Sequence, residues 1–321
     1  MDERLVAVVG YDGAELIDIA CVTTSLGMAN KYGCARVPYR TRLLTPGGRP
    51  ISLPTGLALL GGHPLERATG PFDTLLVAGG LGHEEAAANP LIVAHVRRLA
   101  RESRRVASIC TGAGVLAAAG LLDGRRVTTH WRYAGDMAAR HPDVIVDPDP
   151  IYIRDGNLIT SAGVTSALDL SVALIEEDHG PDMARLVARH LVIYLQRPGN
   201  QAQMSIFTAA PPPGNDVVRG LVEHVHAGLD GDLSAAALAA HAGISVRHLT
   251  RLFLTHLGRT PAQFVKQARL EAAAHLLAGT SLPMPAVAAR CGFGSAETLR
   301  QAFTSRYGIA PSRYRQAHGG H

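Results

Sequence analysis

No stretch of the 321 residues approaches the roughly 18 uninterrupted apolar residues that a membrane-spanning helix needs. The N-terminus, Met1-Asp2-Glu3-Arg4, runs straight into the apolar stretch Leu5–Val9, without the basic region, apolar core and small-residue cleavage site of an export signal. Cysteine is scarce: Cys21, Cys34, Cys110 and Cys291 show neither metal-ligand spacing nor the density of a disulfide framework. These absences argue against a membrane protein, a disulfide scaffold and a zinc module. No metal, cofactor or membrane partner is expected, and the expected location is the cytoplasm. Charged residues make up only 18% of the chain against 47% apolar, the balance of a folded protein rather than a disordered one. At this length two domains are expected, since one hydrophobic core seldom serves so many residues.

The charge that is present is unevenly placed. Residues 233–321 carry ten Lys/Arg against two acids, Glu271 and Glu297, a net +8 that leaves −4 on residues 1–232. A basic end on a slightly acidic body suggests a polyanionic partner for that end.

The first part of the chain alternates short apolar runs with helical patterns. Leu5–Val9, Thr74–Ala78 and Val106–Ile109 read as buried strands, and Ile17–Ala29, Pro90–Arg101, Gly112–Ala119 and Gly163–Glu177 as helices. This alternation predicts an α/β fold, a doubly wound and mostly parallel sheet with helices on both faces. Turn and breaker signals are densest from Arg197-Pro198-Gly199-Asn200 to Pro211-Pro212-Pro213-Gly214-Asn215. The resulting division is 1–195 for the α/β domain, 196–215 for a linker and 216–318 for an all-α domain.

The run Arg105-Val106-Ala107-Ser108-Ile109-Cys110-Thr111-Gly112-Ala113-Gly114 reads as strand, sharp turn, helix. Cys110 sits at the turn, where the following helix is expected to aim its N-terminus at the sulfur, lower the thiol pKa and leave it exposed above the sheet. Open α/β sheets bind ligands at the carboxyl ends of their strands, so a pocket is expected there. Gly79 and Gly80 can offer backbone N–H groups to a bound oxygen, Asp18 can project to the same edge, and Thr111 adjoins it. His130-Trp131 either lines that pocket or belongs to the core. Cys110 itself reads as a ligand-pocket residue, a nucleophile, a redox sensor or a packing residue, and the residues alone leave these open. Cys21, Cys34 and Cys291 read as buried small hydrophobes.

The helical part repeats itself. Ser245, Leu249, Phe253, Gly258, Pro261 and Phe264 match Ser295, Leu299, Phe303, Gly308, Pro311 and Tyr314 at an offset of 50 residues. Upstream the offset is 49, because the turn in the second copy is one residue longer. Each copy reads as a short helix, a Gly-containing turn, and a second helix capped by Ser245 or Ser295. In copy one, Val246, Leu249, Leu252 and Phe253 form an apolar stripe, while Arg247, His248, Thr250 and Arg251 face outward. In copy two the outward set is Glu297, Thr298, Arg300 and Gln301. A short helix with an outward Arg-x-x-x-Arg stripe suits the DNA major groove, where arginine grips guanine or phosphate.

Residues 216–318 resemble the DNA-binding domain of the AraC/XylS family. The resemblance rests on Arg269-Leu270, Ala273 and Leu276-Leu277 in the joining helix, on Cys291-Gly292-Phe293-Gly294-Ser295, and on the ending Gly308-Ile309-Ala310-Pro311-Ser312-Arg313-Tyr314-Arg315. It implies two recognition helices in successive major-groove segments, with the central helix setting their spacing. Residues 4–195 resemble the class I glutamine amidotransferase-like superfamily in its PfpI-like branch, a flavodoxin-like fold. That resemblance rests on the cysteine elbow, Gly120-Leu121-Leu122-Asp123-Gly124, Thr129-His130-Trp131 and Ser161-Ala162-Gly163. Together the parts look like a GlxA-type AraC regulator: a homodimer that senses a small, nitrogen-containing effector, binds promoter DNA and, if an activator, contacts RNA polymerase. Pro198-Gly199-Asn200-Gln201 departs from the Gly-Gly-Gln-like stretch such relatives carry. The first part also resembles isocyanide hydratases, which implies catalytic roles for Cys110, Thr111 and Asp18; no histidine directly follows Cys110, as peptidase or amidotransferase chemistry would want.

Overall fold

A computed structural model describes residues 3–33, 37–193, 197, 199, 203 and 215–318. Cys34 and most of the expected linker lie outside the described residues. The chain divides into two compact units, Met1–Gln203 and Met204–His321.

The first unit is built on a seven-stranded sheet. In chain order its strands are β1 (Arg4–Val9), β2 (Tyr39–Thr45), β3 (His63–Pro64), β4 (Phe72–Val77), β5 (Ser103–Ile109), β6 (Tyr152–Asp155) and β7 (Leu158–Ser161). Across the sheet they run β6-β7-β5-β4-β1-β2-β3, all parallel except β6 on β7. β4 is buried at all six positions, as a central parallel strand covered on both faces must be. The flanking helices are α1 (Leu16–Gly33), α2 (His83–Ala88), α3 (Pro90–Arg101), α4 (Gly112–Ala118), α5 (Trp131–Arg140), α6 (Ser166–His179) and α7 (Pro181–His190). Asn89 caps α3 by accepting from the amides of Leu91 and Ile92, and Pro90 supplies a preset first turn. α3 then buries Ile92, Val96 and Leu99 as one apolar stripe.

The register brings the strand ends together. Val9 pairs with Val77, Val77 with Ser108, and Ile109 with Ser161, so β1, β4, β5 and β7 end side by side at one edge. The expected strands and helices are present with shifted ends. The segment from Gly163 is a correction: Gly163 and Val164 form a turn with φ of 99° and 51°, and α6 begins at Ser166.

The second unit is helical, with no strand among its described residues: α8 (Asp216–Ala227), α9 (Ala235–His241), α10 (Val246–Leu257), α11 (Pro261–Gly279), α12 (Met284–Arg290), α13 (Ala296–Tyr307) and α14 (Pro311–His318). The repeat is physical. Ser245 accepts from the amide of His248 at 3.2 Å, and Ser295 from that of Thr298 at 3.0 Å. Gly258 and Gly308 end α10 and α13 in the left-handed conformation that glycine adopts without a Cβ penalty. Phe253 meets Phe264 edge-to-face at 5.7 Å, and Phe303 meets Tyr314 the same way at 5.1 Å. No helix among the described residues is long and apolar enough to cross a membrane.

Candidate effector site and nucleic-acid interface

The elbow at the end of β5 is a strained turn packed by glycines. Cys110 has φ 54°, a conformation L-residues seldom adopt, and its amide is held by the carbonyl of Ser161 at 2.8 Å. A Cβ on Gly79 would sit 2.5 Å from Cys110 Cβ, and one on Gly163 2.2 Å from it. Such approaches require glycine at both positions. The carbonyl of Cys110 accepts from the Thr129 hydroxyl at 2.8 Å.

Asp18, wholly buried in the first turn of α1, accepts from the amide of Gly79 at 3.1 Å and from that of Val164 at 2.9 Å. Burial pushes its carboxyl up to about 6, against the pull of those two amides. Burial and then the Asp18 charge push the Cys110 thiol up to about 12. The expected exposed, acidified thiol is therefore corrected. Cys110 is 7% exposed, and the favourable Thr111 hydrogen bonds lose to desolvation and the neighbouring carboxylate.

The glycine amides are corrected as well. Gly79 donates to Asp18, and Gly80 donates to the Thr111 hydroxyl, which itself donates to the Gly80 carbonyl, each at 2.9 Å. The structure thus brings Asp18, Gly79, Gly80, Cys110 and Thr111 together, already bonded to one another.

Beside Thr111 and Thr129 opens a partly enclosed cavity of about 70 Å³, lined also by His83, Tyr133, Asp136 and Arg140. It has room for a few waters or one small polar group. His83 and Tyr133 meet edge-to-face at 5.0 Å, burial holds His83 below the usual histidine range, and Arg140 pairs with Glu84 at 2.8 Å. Sequence reasoning missed these residues, because neither α2, which carries His83 and Glu84, nor α5, which carries Tyr133, Asp136 and Arg140, was recognised as an element. His130 is not among the lining residues. Its Nδ1 accepts from the amide of Arg132 at the start of α5, and its neighbour Trp131 is 48% exposed, not core. Among the described residues no group of three or more His, Cys, Asp or Glu is placed to hold a metal ion.

The chain reaches back to this corner at Gln203. Its side-chain amide donates to the Thr129 carbonyl at 2.7 Å and the Thr128 hydroxyl at 3.0 Å, and its oxygen accepts from the Trp131 amide at 2.9 Å. Arg197 likewise grips buried Asp169 through Nε at 2.9 Å and Nη2 at 2.6 Å. Neither contact has a local sequence signal.

In the second unit α10 buries Leu249 and Phe253 and exposes Arg247 and Arg251, with His248 and Thr250 half-buried. Val246 is corrected: at 45% exposed it stands outside the buried stripe. On α13, Glu297, Thr298, Arg300 and Gln301 are all exposed. Glu297 accepts from Arg300 Nε at 2.7 Å and from Gln301 at 2.8 Å, contacts that hold its carboxyl down to about 2. α10 thus offers two exposed cations, and α13 an exposed arginine paired with an acid of its own helix.

Residues 6–177 match the DJ-1/PfpI family, and residues 238–317 match a helix-turn-helix domain. The chain is 31% identical to the HTH-type transcriptional regulator CdhR of Pseudomonas aeruginosa over 303 residues, 94% of this chain and 89% of that relative. It is 31% identical to the HTH-type transcriptional regulator GlxA of Rhizobium meliloti over 317 residues, 95% of this chain and 93% of that one. Among solved structures, a THiJ/PfpI family protein from Pseudomonas syringae superposes with a TM-score of 0.54 at 21% identity, covering 84% of this chain and 90% of that one. That likeness establishes the fold.

Proposed function

The chain belongs to the DJ-1/PfpI family and carries a C-terminal helix-turn-helix domain, and from this premise we propose how it acts as a DNA-binding transcription regulator. α10 and α13 enter successive major-groove segments of promoter DNA, with Arg247 and Arg251 supplying most of the attraction. The observation that carries this reading is the pair of serine-capped helices on a segment of net charge +8, one of them exposing two arginines that form no ion pair among the described residues. Retention of a salt-sensitive preference for particular sequences by the purified chain, weakened in Arg247→Ala/Arg251→Ala, is the test.

The first unit senses a small effector in the cavity beside Thr111 and Thr129. Asp136 adds a carboxylate and Tyr133 an aromatic ring, a lining that suits a nitrogen-bearing cation. Binding there shifts the balance between two poses of the DNA-binding domains, by as much as the effector prefers one pose over the other. The route runs through Thr129, whose hydroxyl holds the elbow and whose carbonyl holds Gln203, next to Met204 where the second unit begins. Pairing of two chains through the first unit doubles the DNA footprint, and an activating complex contacts RNA polymerase.

A second reading makes the first unit a cysteine-dependent hydratase or hydrolase. One observation favours it, the Asp18 carboxyl poised near pH 6 beside Cys110. The raised thiol pKa weighs against it. Isocyanide turnover that disappears in Cys110→Ala decides for the enzyme.

A further inference from the structure

Arg269 stands where the two DNA-reading motifs meet. α8, α9, α10 and the first half of α11 share one apolar core, which ends on α11 at Ala268. From Leu270 onward α11 buries Leu270, Ala273, Leu277 and Ala278, and it packs against α12 and α13, which bury Val287, Leu299 and Phe303. Two cores strung on one helix are joined only along its axis, and long helices curve rather than run straight. Arg269, between Ala268 and Leu270, adds an off-axis tie. Its Nε donates to the carbonyl of Leu229 and its Nη2 to that of Gly231, both at 2.9 Å. That loop leads directly into Asp232 and Ser234, which start α9. On the other side the guanidinium lies under Gly292, in the turn between α12 and α13. A Cβ there would meet Arg269 Nε at 2.6 Å and the Leu229 carbonyl oxygen at 2.1 Å. One side chain therefore touches the entry loop of the first motif and the turn of the second.

The geometry points to Arg269 as a positioning residue that fixes the spacing and angle between the two recognition helices, so that the protein measures the distance between two DNA segments. This rests on the DNA-binding reading of the second unit. One inserted base pair moves the second segment by about 3.4 Å and turns it by about 35°. A rigid pair of helices cannot follow that change, whereas a loosened pair can. Lysine's ammonium, a point charge with rotatable donors on a flexible stem, holds two carbonyls less rigidly than the planar guanidinium, whose Nε and Nη2 donate in a fixed geometry.

The test uses the full chain and a site selected from a random-sequence DNA pool. Three duplexes are compared: the selected site, the site with one base pair inserted between its two contacted segments, and a single segment. For the unaltered protein the insertion costs roughly tenfold or more in affinity, the scale of a mismatched base pair. Arg269→Gln binds the full site nearly as weakly as the inserted one and binds the single segment as the parent does; Arg269→Lys falls between. A variant that keeps the full insertion penalty overturns the assignment. So does an equal loss on the single segment, which marks a merely structural role. Selection that returns no preferred sequence overturns the DNA-binding reading itself, an outcome distinct from both.

Discussion

The side-chain amide of Gln203 donates to the carbonyl of Thr129 at 2.7 Å, and the hydroxyl of that same threonine donates to the carbonyl of Cys110 at 2.8 Å. A single residue thus joins the strained elbow, the wall of the cavity and the last residue before the second unit. Trp131, the sole tryptophan, takes part through its amide and is half-exposed, so its emission reports on the same corner. Gln203→Ala is expected to shift that emission and to speed hydrogen exchange at the Trp131 amide. Unchanged exchange at Trp131 would mean that the clasp is not formed in solution.

Asp18 makes stability depend on pH. Its folded carboxyl titrates near 6, above the ordinary 3.8, so the folded state binds the proton more tightly than the unfolded chain does. The contribution of this group is therefore fully present below about 3.8 and lost as pH rises through about 6. A shift of that size is on the order of 3 kcal/mol. Asp18→Asn should flatten the stability profile between those pH values in thermal unfolding scans. A variant profile as steep as the parent's contradicts the assignment.

The same carboxylate helps keep Cys110 unreactive. The parent thiol, pushed up to about 12, should be alkylated very slowly by iodoacetamide at neutral pH. Asp18→Asn removes a neighbouring negative charge and should quicken alkylation severalfold, while burial keeps the thiol above its ordinary range. Rapid modification of the parent protein at pH 7 would show the elbow open and ionised.

On the DNA side the two recognition helices should respond with opposite signs. Arg247→Ala and Arg251→Ala lose affinity, by about 1–3 kcal/mol where an arginine reads a base. Glu297→Gln removes an exposed carboxylate that stays ionised at working pH, frees Arg300, and should strengthen binding to random-sequence DNA. A fluorescence titration with unselected duplex reads this directly, and weaker binding by Glu297→Gln would place α13 away from the phosphates.

Much of this was legible in the chain because it is written in local, periodic terms. β1, β4 and β5 each carry a short, mostly apolar run, Leu5–Val9, Leu75–Val77 and Val106–Ile109, and the duplicated motif shows itself in Ser caps, Gly ends and ring positions repeated at 50 residues. β2 was not legible, since Arg40 and Arg42 break its apolar pattern beside an edge strand. α5 buries only Ala134 and Met137, too little to announce a helix face. The thiol was misjudged for a different reason. Turn, small neighbours and following helix are local features, but its acidity is set by burial and by a carboxylate from α1, which sequence spacing does not display. The contacts of Gln203 and Arg197 depend on where the chain returns in space, so nothing in their neighbours predicts them.

The central claim is tested most directly by the binding of the full chain to DNA upstream of its own and neighbouring genes, at two salt concentrations, beside Arg247→Ala/Arg251→Ala. The account predicts a fragment bound in preference to the others, with affinity that falls as salt rises and falls further in the variant. Equal binding of every fragment, or a variant that binds its fragment as tightly as the parent does, would contradict it.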